Sequence, residues 1–413
     1  MVENPDHDRE QKTDGNRNVP AMTMMIGSEG VLSQRRTWRG IFALVLAGAA
    51  WMVTCVTAAE TTEVGMRAVT AYRTEGFVES GDRVVIDQYA LGHYSGSFVC
   101  KFTESGDHVV ITAGGEPFVT YVRDSVGKPI LFPVYGPAGQ PMTRYWPMDE
   151  SVSGEAKDHP HQRSFWFTHG DVNGVSFWME GDGAGRIVET SREVQESDGC
   201  VVLATTDDWV TPDGTIPLTD RRTFVFRCDD VDGSQVRMID VTVELTAAMD
   251  EVRLGDTKEG SFGIRVWEEM RADRVNVPGG ERPGRIVNAE GLENDDAWGK
   301  RSNWVDYSGP VRGEWVGVTI LNHPVSFRAP TWWHVRTYGL FAANPFGVGD
   351  FTGERGRPGD YVMRHSESIT LRYRVLFHDD TLTPERINTA FGAYCAEHGR
   401  TADTEAERNG GVQ

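Results

Sequence analysis

Arg237-Met238-Ile239-Asp240-Val241-Thr242-Val243-Glu244-Leu245-Thr246-Ala247 decides the fold class. Ile239, Val241, Val243, Leu245 and Ala247 alternate with Asp240, Thr242, Glu244 and Thr246. An extended chain points successive side chains to opposite faces, so this period of two marks a half-buried strand rather than a helix. Ile369, Leu371, Tyr373, Val375 and Phe377 repeat the pattern against Thr370, Arg372 and Arg374. Working outward, further strands are expected over residues 84–89, 97–102, 109–112, 118–123, 187–195, 201–209, 223–228, 262–267 and 315–321. Short strands separated by Gly, Asp and Asn turns predict an all-β protein, an antiparallel β-sandwich. The 46 glycines fit a fold with many tight turns.

One short helix closes the chain. Thr383 suits an N-cap, Pro384 the first helical position and Gly399 a stop, while Ile387, Ala390, Phe391 and Tyr394 share a face that would pack on the sandwich. Residues 278–313, rich in Gly, Pro and charge, read as a long surface excursion. The expected organisation is an N-terminal region 1–59, one β-sandwich domain over 60–400 and a loose acidic tail over 401–413.

Within 1–59, a polar stretch precedes Arg35-Arg36-Thr37-Trp38-Arg39, an apolar run from Ile41 to Ala59 and a small-residue end. That order reads as a signal peptide, or as an uncleaved anchor because the run can almost cross a bilayer. The protein is therefore expected to be exported to a periplasmic or extracellular space, touching membrane only through this segment. There, Cys100, Cys200, Cys228 and Cys395 could oxidise; Cys200 and Cys228 lie in consecutive expected strands, and buried free thiols are the other reading.

The formal net charge is −20, and 1–59 holds six acidic and six basic residues, so the body carries the excess. Such a body repels phosphate backbones and has no basic stripe, which argues against nucleic acid. No nucleotide-binding motif appears, so no nucleotide cofactor is expected. The 12 tryptophans serve as core filler or as flat surfaces for sugar rings.

Chemistry concentrates in Asp158-His159-Pro160-His161-Gln162-Arg163, followed by His169-Gly170-Asp171-Val172-Asn173-Gly174. Pro160 is expected to hold His159 extended, so that His159, His161 and Arg163 point one way, a parity that Phe165, Phe167 and His169 continue. Residues 170–174 read as a tight hairpin turn. A second segment, Trp332-Trp333-His334-Val335-Arg336-Thr337-Tyr338, would as a strand put Trp332, His334, Arg336 and Tyr338 on one side. A third, Glu259-Gly260-Ser261-Phe262-Gly263-Ile264-Arg265, offers Glu259 as a carboxylate acid or base. Trp298, Lys300, Arg301, Trp304, Asp306 and Tyr307 form a weaker fourth cluster. Each segment also has a bland reading as solvated surface.

These runs, with Leu131-Phe132-Pro133-Val134-Tyr135-Gly136-Pro137, Met142-Thr143-Arg144-Tyr145-Trp146-Pro147 and Asn344-Pro345-Phe346-Gly347, resemble a bacterial family of unknown function whose members often carry the label "methane oxygenase PmoA". The resemblance covers roughly residues 65–395, and Gln162 stands where the family often has a third histidine. It implies a β-sandwich related to the galactose-mutarotase-like supersandwich.

The expected function is a carbohydrate-active hydrolase, lyase or epimerase working on a glycan-derived ligand. His159, His161, His334 and Glu259 are its acid–base candidates. Arg163, Arg265 and Arg336 would hold polar or anionic substrate groups, with His169, Asp171 and Tyr338 beside them and Trp332 or Trp166 supplying a stacking surface. Two alternatives stand: a metal-dependent oxygenase or hydrolase using His159 and His161 as ligands, and a non-catalytic glycan-binding module.

Overall fold

The computed structural model describes residues 99–231, 233–274 and 283–409, with side chains as far as residue 397. The N-terminal region, its apolar run and the strand expected over 84–89 lie outside the described residues. Among those described, no helix is long and apolar enough to cross a membrane.

Among the described residues, eighteen strands and two α-helices follow one another. The first strands are β1 Cys100–Ser105, β2 His108–Ala113, β3 Glu116–Val122, β4 Ile130–Val134 and β5 Phe165–His169. Four long strands come next: β6 Arg186–Ser197, β7 Cys200–Val210, β8 Leu218–Val231 and β9 Ser234–Ala247. Then come β10 Glu251–Leu254, β11 Gly260–Arg265, β12 Arg285–Asn288, β13 Trp304–Val311 and β14 Glu314–Asn322. The chain ends with β15 Trp332–Val335, β16 Leu340–Asn344, α1 Val348–Thr352, β17 Tyr361–Arg364, β18 Ser368–Asp379 and α2 Pro384–Asn409. One eight-stranded sheet has the order β1-β2-β3-β4-β5-β11-β16-β15, the other β12-β13-β14-β18-β9-β8-β7-β6. Every pairing is antiparallel, so the expected sandwich is what forms.

The decisive strand behaves as its alternation requires. In β9, Ile239, Val241, Val243, Leu245 and Ala247 enter the core, where Phe118, Tyr121 and Phe262 of the first sheet meet Phe226, Tyr373 and Phe377 of the second. Phe262 stacks on Tyr373 with ring centroids 4.9 Å apart, locking the sheets together. The opposite face is covered at one end, where Leu382, Ile387, Ala390 and Tyr394 pack on Val236, Met238, Trp304 and Leu376. Burying each such side chain contributes about 1.5–3 kcal/mol. The helix runs through Gly399 rather than stopping there.

Two other expectations need correction. Much of 278–313 is sheet: β13 is buried at every position, and Gly309 and Pro310, which read as loop residues, sit inside it. A Cβ on Gly309 would lie 2.7 Å from the Met270 backbone, so glycine is there for close packing against the short 3-10 turn Glu268–Met270. Cys200 and Cys228 do not face each other. Cys200 packs with Val202 and Val225 on one side of the second sheet, while Cys228 packs against the inter-sheet core beside Cys100. All four described cysteines are free thiols.

The core also holds charge. Arg222 pairs with Asp220 through contacts of 3.0 and 2.7 Å and lies 3.5 Å from Asp207. Trp209 Nε1 donates to Asp220 at 2.7 Å, and Thr205 donates to Asp207 at 2.8 Å. Burial, with Asp220 adding to it, pushes the Asp207 carboxyl well above the usual range, so it is held as the neutral acid.

Candidate active site

The site lies on the outer face of the first sheet, under loops. Register puts Ile130, Trp166, Gly263, Ala342 and His334 on that face, because directly paired residues in a ladder share a side. Trp178, Met148 and Tyr338 from the loops pack onto Ile130, Trp166, Leu340 and Ala342.

Arg144 organises the histidine segment. Its guanidinium is fully buried and donates to the carbonyls of Ala156, Asp158, His159 and Gln162 at 2.9–3.1 Å, and to Asp158 Oδ1 at 2.7 Å. Gathering four carbonyls around one cation requires a turn, and Gln162 N–H closes it onto the His159 carbonyl. His159 therefore has φ +44°, and Ser164 has φ +56°. The expected extended parity from His159 to His169 is broken, because a proline disfavours a right-handed residue before it but does not forbid a left-handed one.

Asp158 is the hub. Its Oδ1 accepts from Arg144 and, at 2.9 Å, from Arg265; its Oδ2 lies 3.3 Å from His159 Nδ1. Burial alone would raise this carboxyl, but His159, Arg265 and Arg144 outweigh it and hold it well below the usual carboxylate range. Arg265 also donates to Gln162 Oε1 at 2.6 Å and lies 4.8 Å over the Tyr338 ring. His159 stacks on Tyr338 at 5.0 Å with 5° between planes, and its side chain stays 41% exposed.

His161 is 5.8 Å from His159, edge on, against Trp178. Its carbonyl accepts from Lys128, which with Arg163 clasps Glu180 at 2.8 and 2.6 Å. Burial, then the Lys128 charge, lowers its pKa to about 4, so it is neutral at pH 7. His334 is neutral too, lowered to about 3 chiefly by burial. Its Nδ1 lies 2.8 Å from the Lys258 carbonyl, which can only accept, so Nδ1 carries the proton and Nε2 keeps its lone pair.

Glu259 is a third exposed, with Oε1 4.0 Å from Lys258 Nζ. Burial raises its carboxyl above the ordinary range and Asp350 adds to this, while Lys258 and His159 pull against it. The His159 charge thus acts on both Glu259 and His334, and Glu259 acts on the Tyr338 phenol, which burial keeps protonated. Exposed Arg336 reaches within 5.8 Å of the Tyr338 and Trp298 ring centres. Contacts thus link His161, His159, Tyr338, Arg265 and Arg336, while Glu259 and His334 meet at Lys258 within electrostatic reach of His159.

Other candidates fall elsewhere. His169 keeps the parity of Phe165 and Phe167, but that face is the core: it is 1% exposed, with Nε2 2.9 Å from the Gly255 carbonyl. Asp171 is committed to Arg253 and Arg357 at 3.2 and 2.6 Å, while its turn forms as expected, with Asn173 and Gly174 at positive φ. Arg163 is saturated by Glu180. Trp332 shares the parity of His334 but lies under Arg301 at 4.5 Å, and its strand ends at Val335, short of Arg336 and Tyr338. Trp166 is buried against Trp178. Trp298, from the cluster ranked lowest, stands 6.5 Å from His334 and takes the aromatic place instead. Arg144, Lys128 and Glu180 were missed as supports, and Asp158 was seen only as the start of the histidine run; the Thr143-Arg144-Tyr145-Trp146 run was the visible signal for Arg144. Among the described residues, no three His, Cys, Asp or Glu side chains are placed to hold a metal ion.

A packing constraint beside Glu259 can be tested. A Cβ on Gly170 would come 2.6 Å from both Cβ and the carbonyl oxygen of Glu259. Gly170→Ala should cost about 1–3 kcal/mol by overpacking and displace the Glu259 segment. Urea denaturation reads the loss; an unchanged midpoint would mean that the segment has room to move.

The model of a family described as "Family of unknown function (DUF6807)" matches residues 108–392. No curated protein matches the chain. Among solved structures, the galactosidase domain of an alpha-galactosidase-sucrose kinase, AgaSK, is similar over 67% of this chain and 41% of its own, with 8% identity and TM-score 0.33. A Glycoside Hydrolase Family 97 enzyme from Pseudoalteromonas sp. strain K8, in complex with acarbose, is similar over 70% and 36%, with 10% identity and TM-score 0.29. A galactose mutarotase related enzyme from Lactobacillus acidophilus is similar over 68% and 98%, with 10% identity and TM-score 0.21. The chain spans less than half the length of the first two.

Proposed function

The chain belongs to the DUF6807 family of unknown function, and we propose that it is an exported acid–base enzyme of a glycan-derived ligand, His159 and Glu259 exchanging protons with it in a reaction of the epimerase or lyase kind. One observation carries this reading: an exposed imidazole is oriented by Asp158 at Nδ1 and by the Tyr338 ring, beside a carboxyl whose proton affinity burial has raised. An imidazole held by a carboxylate at one nitrogen presents the other for proton transfer, and a carboxyl raised above its ordinary range serves as an acid nearer neutral pH.

The alternatives within the site narrow the chemistry. Glycoside hydrolysis generally needs two competent carboxyl groups. Asp158 is bound by two buried arginines and kept ionised, so it orients rather than donates, and Asp350 is engaged by the Lys258 N–H at 2.7 Å. His161 and His334 stay neutral and offer acceptor nitrogens to hydroxyl groups. Trp298 supplies ring surface for a sugar beside polar ends, the mix that hydroxyl-rich ligands need.

The test incubates the full chain with mono- and oligosaccharides in D2O and follows them by NMR, which reads anomer exchange, carbon-bound deuterium and unsaturated product alike. His159→Ala and Glu259→Gln should each slow turnover by about 10²–10⁴-fold, the contribution of a positioned acid or base. Turnover indifferent to both substitutions would overturn the assignment, and tight binding without turnover would make the protein a binding module.

A further inference from the structure

Most cations of the site are already spoken for. Arg144 and Arg265 hold Asp158, Arg163 holds Glu180, and Arg271 holds Glu268 and Asp273 at 2.7 and 2.8 Å. Lys258 lies 4.0 Å from Glu259. Arg336 differs. It is exposed, and among the described residues its guanidinium has ring contacts to Trp298 and Tyr338 but no carboxylate partner. A long cationic side chain held against two aromatic rings has lost rotamer freedom before any ligand arrives, so its fork of donors is preorganised. Tyr338 is the same ring on which His159 stacks, so Arg336 lies one ring away from the imidazole.

We infer that the ligand carries a carboxylate, as a uronic acid residue does, and that Arg336 binds it. This rests on the reading of the His159–Glu259 site given above. A guanidinium matches a planar carboxylate with two parallel hydrogen bonds, whereas a neutral hydroxymethyl group at the same position would leave the fork unsatisfied.

Calorimetry of the full chain with short uronate oligosaccharides, each beside its carboxyl-reduced counterpart and a sulfated neutral oligosaccharide, tests the inference. At least one uronate should bind tenfold or more tightly than its reduced counterpart, with a preference that weakens in high salt. Arg336→Gln should abolish the preference, and Arg336→Lys should recover part of it. Equal binding within every pair, a preference surviving Arg336→Gln, stronger binding of the sulfated sugar, or no binding across the panel would each overturn it. A neutral sugar turned over through His159 would sink this inference and leave the acid–base function standing. An Arg336-dependent uronate preference without turnover would do the reverse.

Discussion

Asp220→Ala is expected to lower the stability of the folded protein by about 3 kcal/mol, the low end of what breaking a buried ion pair costs. Arg222 is 1% exposed and Asp220 3%, so no water stands ready to replace the lost carboxylate. Trp209 Nε1 loses its acceptor in the same step. The low end applies because Asp207 is in reserve. It is kept as the neutral acid, chiefly by burial and then by Asp220, and its Oδ2 already lies 3.5 Å from the guanidinium. With Asp220 gone, Asp207 can ionise and take over the pair. Adding Asp207→Asn to Asp220→Ala removes that reserve, so the double variant should lose more than the sum of the Asp207→Asn and Asp220→Ala losses. Urea denaturation of the three variants reads this out. A loss below about 1 kcal/mol for Asp220→Ala would show that the core charge is dispensable, as hydrophobic replacements of buried pairs sometimes are.

The second large effect is expected at the site. Asp158→Ala leaves the buried guanidiniums of Arg144 and Arg265 without their shared carboxylate. Asp158 is 38% exposed, so water can partly stand in, and a loss of about 2 kcal/mol is the discounted expectation. Arg144 keeps four carbonyls and Arg265 keeps Gln162, so the protein should still fold while His159 loses its orientation. Turnover should therefore fall much more than stability. The sign with pH is fixed by the direction of the shift. The folded carboxyl lies below its unfolded value, so its stabilisation is complete above the ordinary carboxylate range and is lost as pH falls through the folded value. The wild type should lose more stability than Asp158→Asn between pH 6 and pH 3. Equal losses would mean that Asp158 contributes nothing through its charge.

Legibility in the sequence followed how local each property is. The alternation of β9 and β18 is written in consecutive residues, and both strands form where it lies. The Asn173-Gly174 turn is equally local, since those residues tolerate positive φ. β13 was hidden because Gly309 is there for a contact with Met270, a residue 39 positions earlier that no local pattern reveals. His169 shows the same limit from the other side: its parity with Phe165 and Phe167 could be read, but not that this face is the core.

The histidine segment divides along the same line. Its composition alone placed His159, His161, Glu259, His334, Arg336 and Tyr338 among the functional candidates, because titratable and aromatic groups crowded around glycines and prolines stand out residue by residue. Which of them meet was settled by tertiary structure. Arg144 draws four carbonyls into a left-handed turn, Asp158 joins two arginines to His159, and the β15–β16 turn carries Tyr338 under the imidazole ring. Side-chain alternation is a property of one backbone, so sequence determines it. Convergence depends on chain reversals and on which sheet face is covered, and those are fixed by contacts between distant residues, such as His159 and Tyr338, which are 179 positions apart.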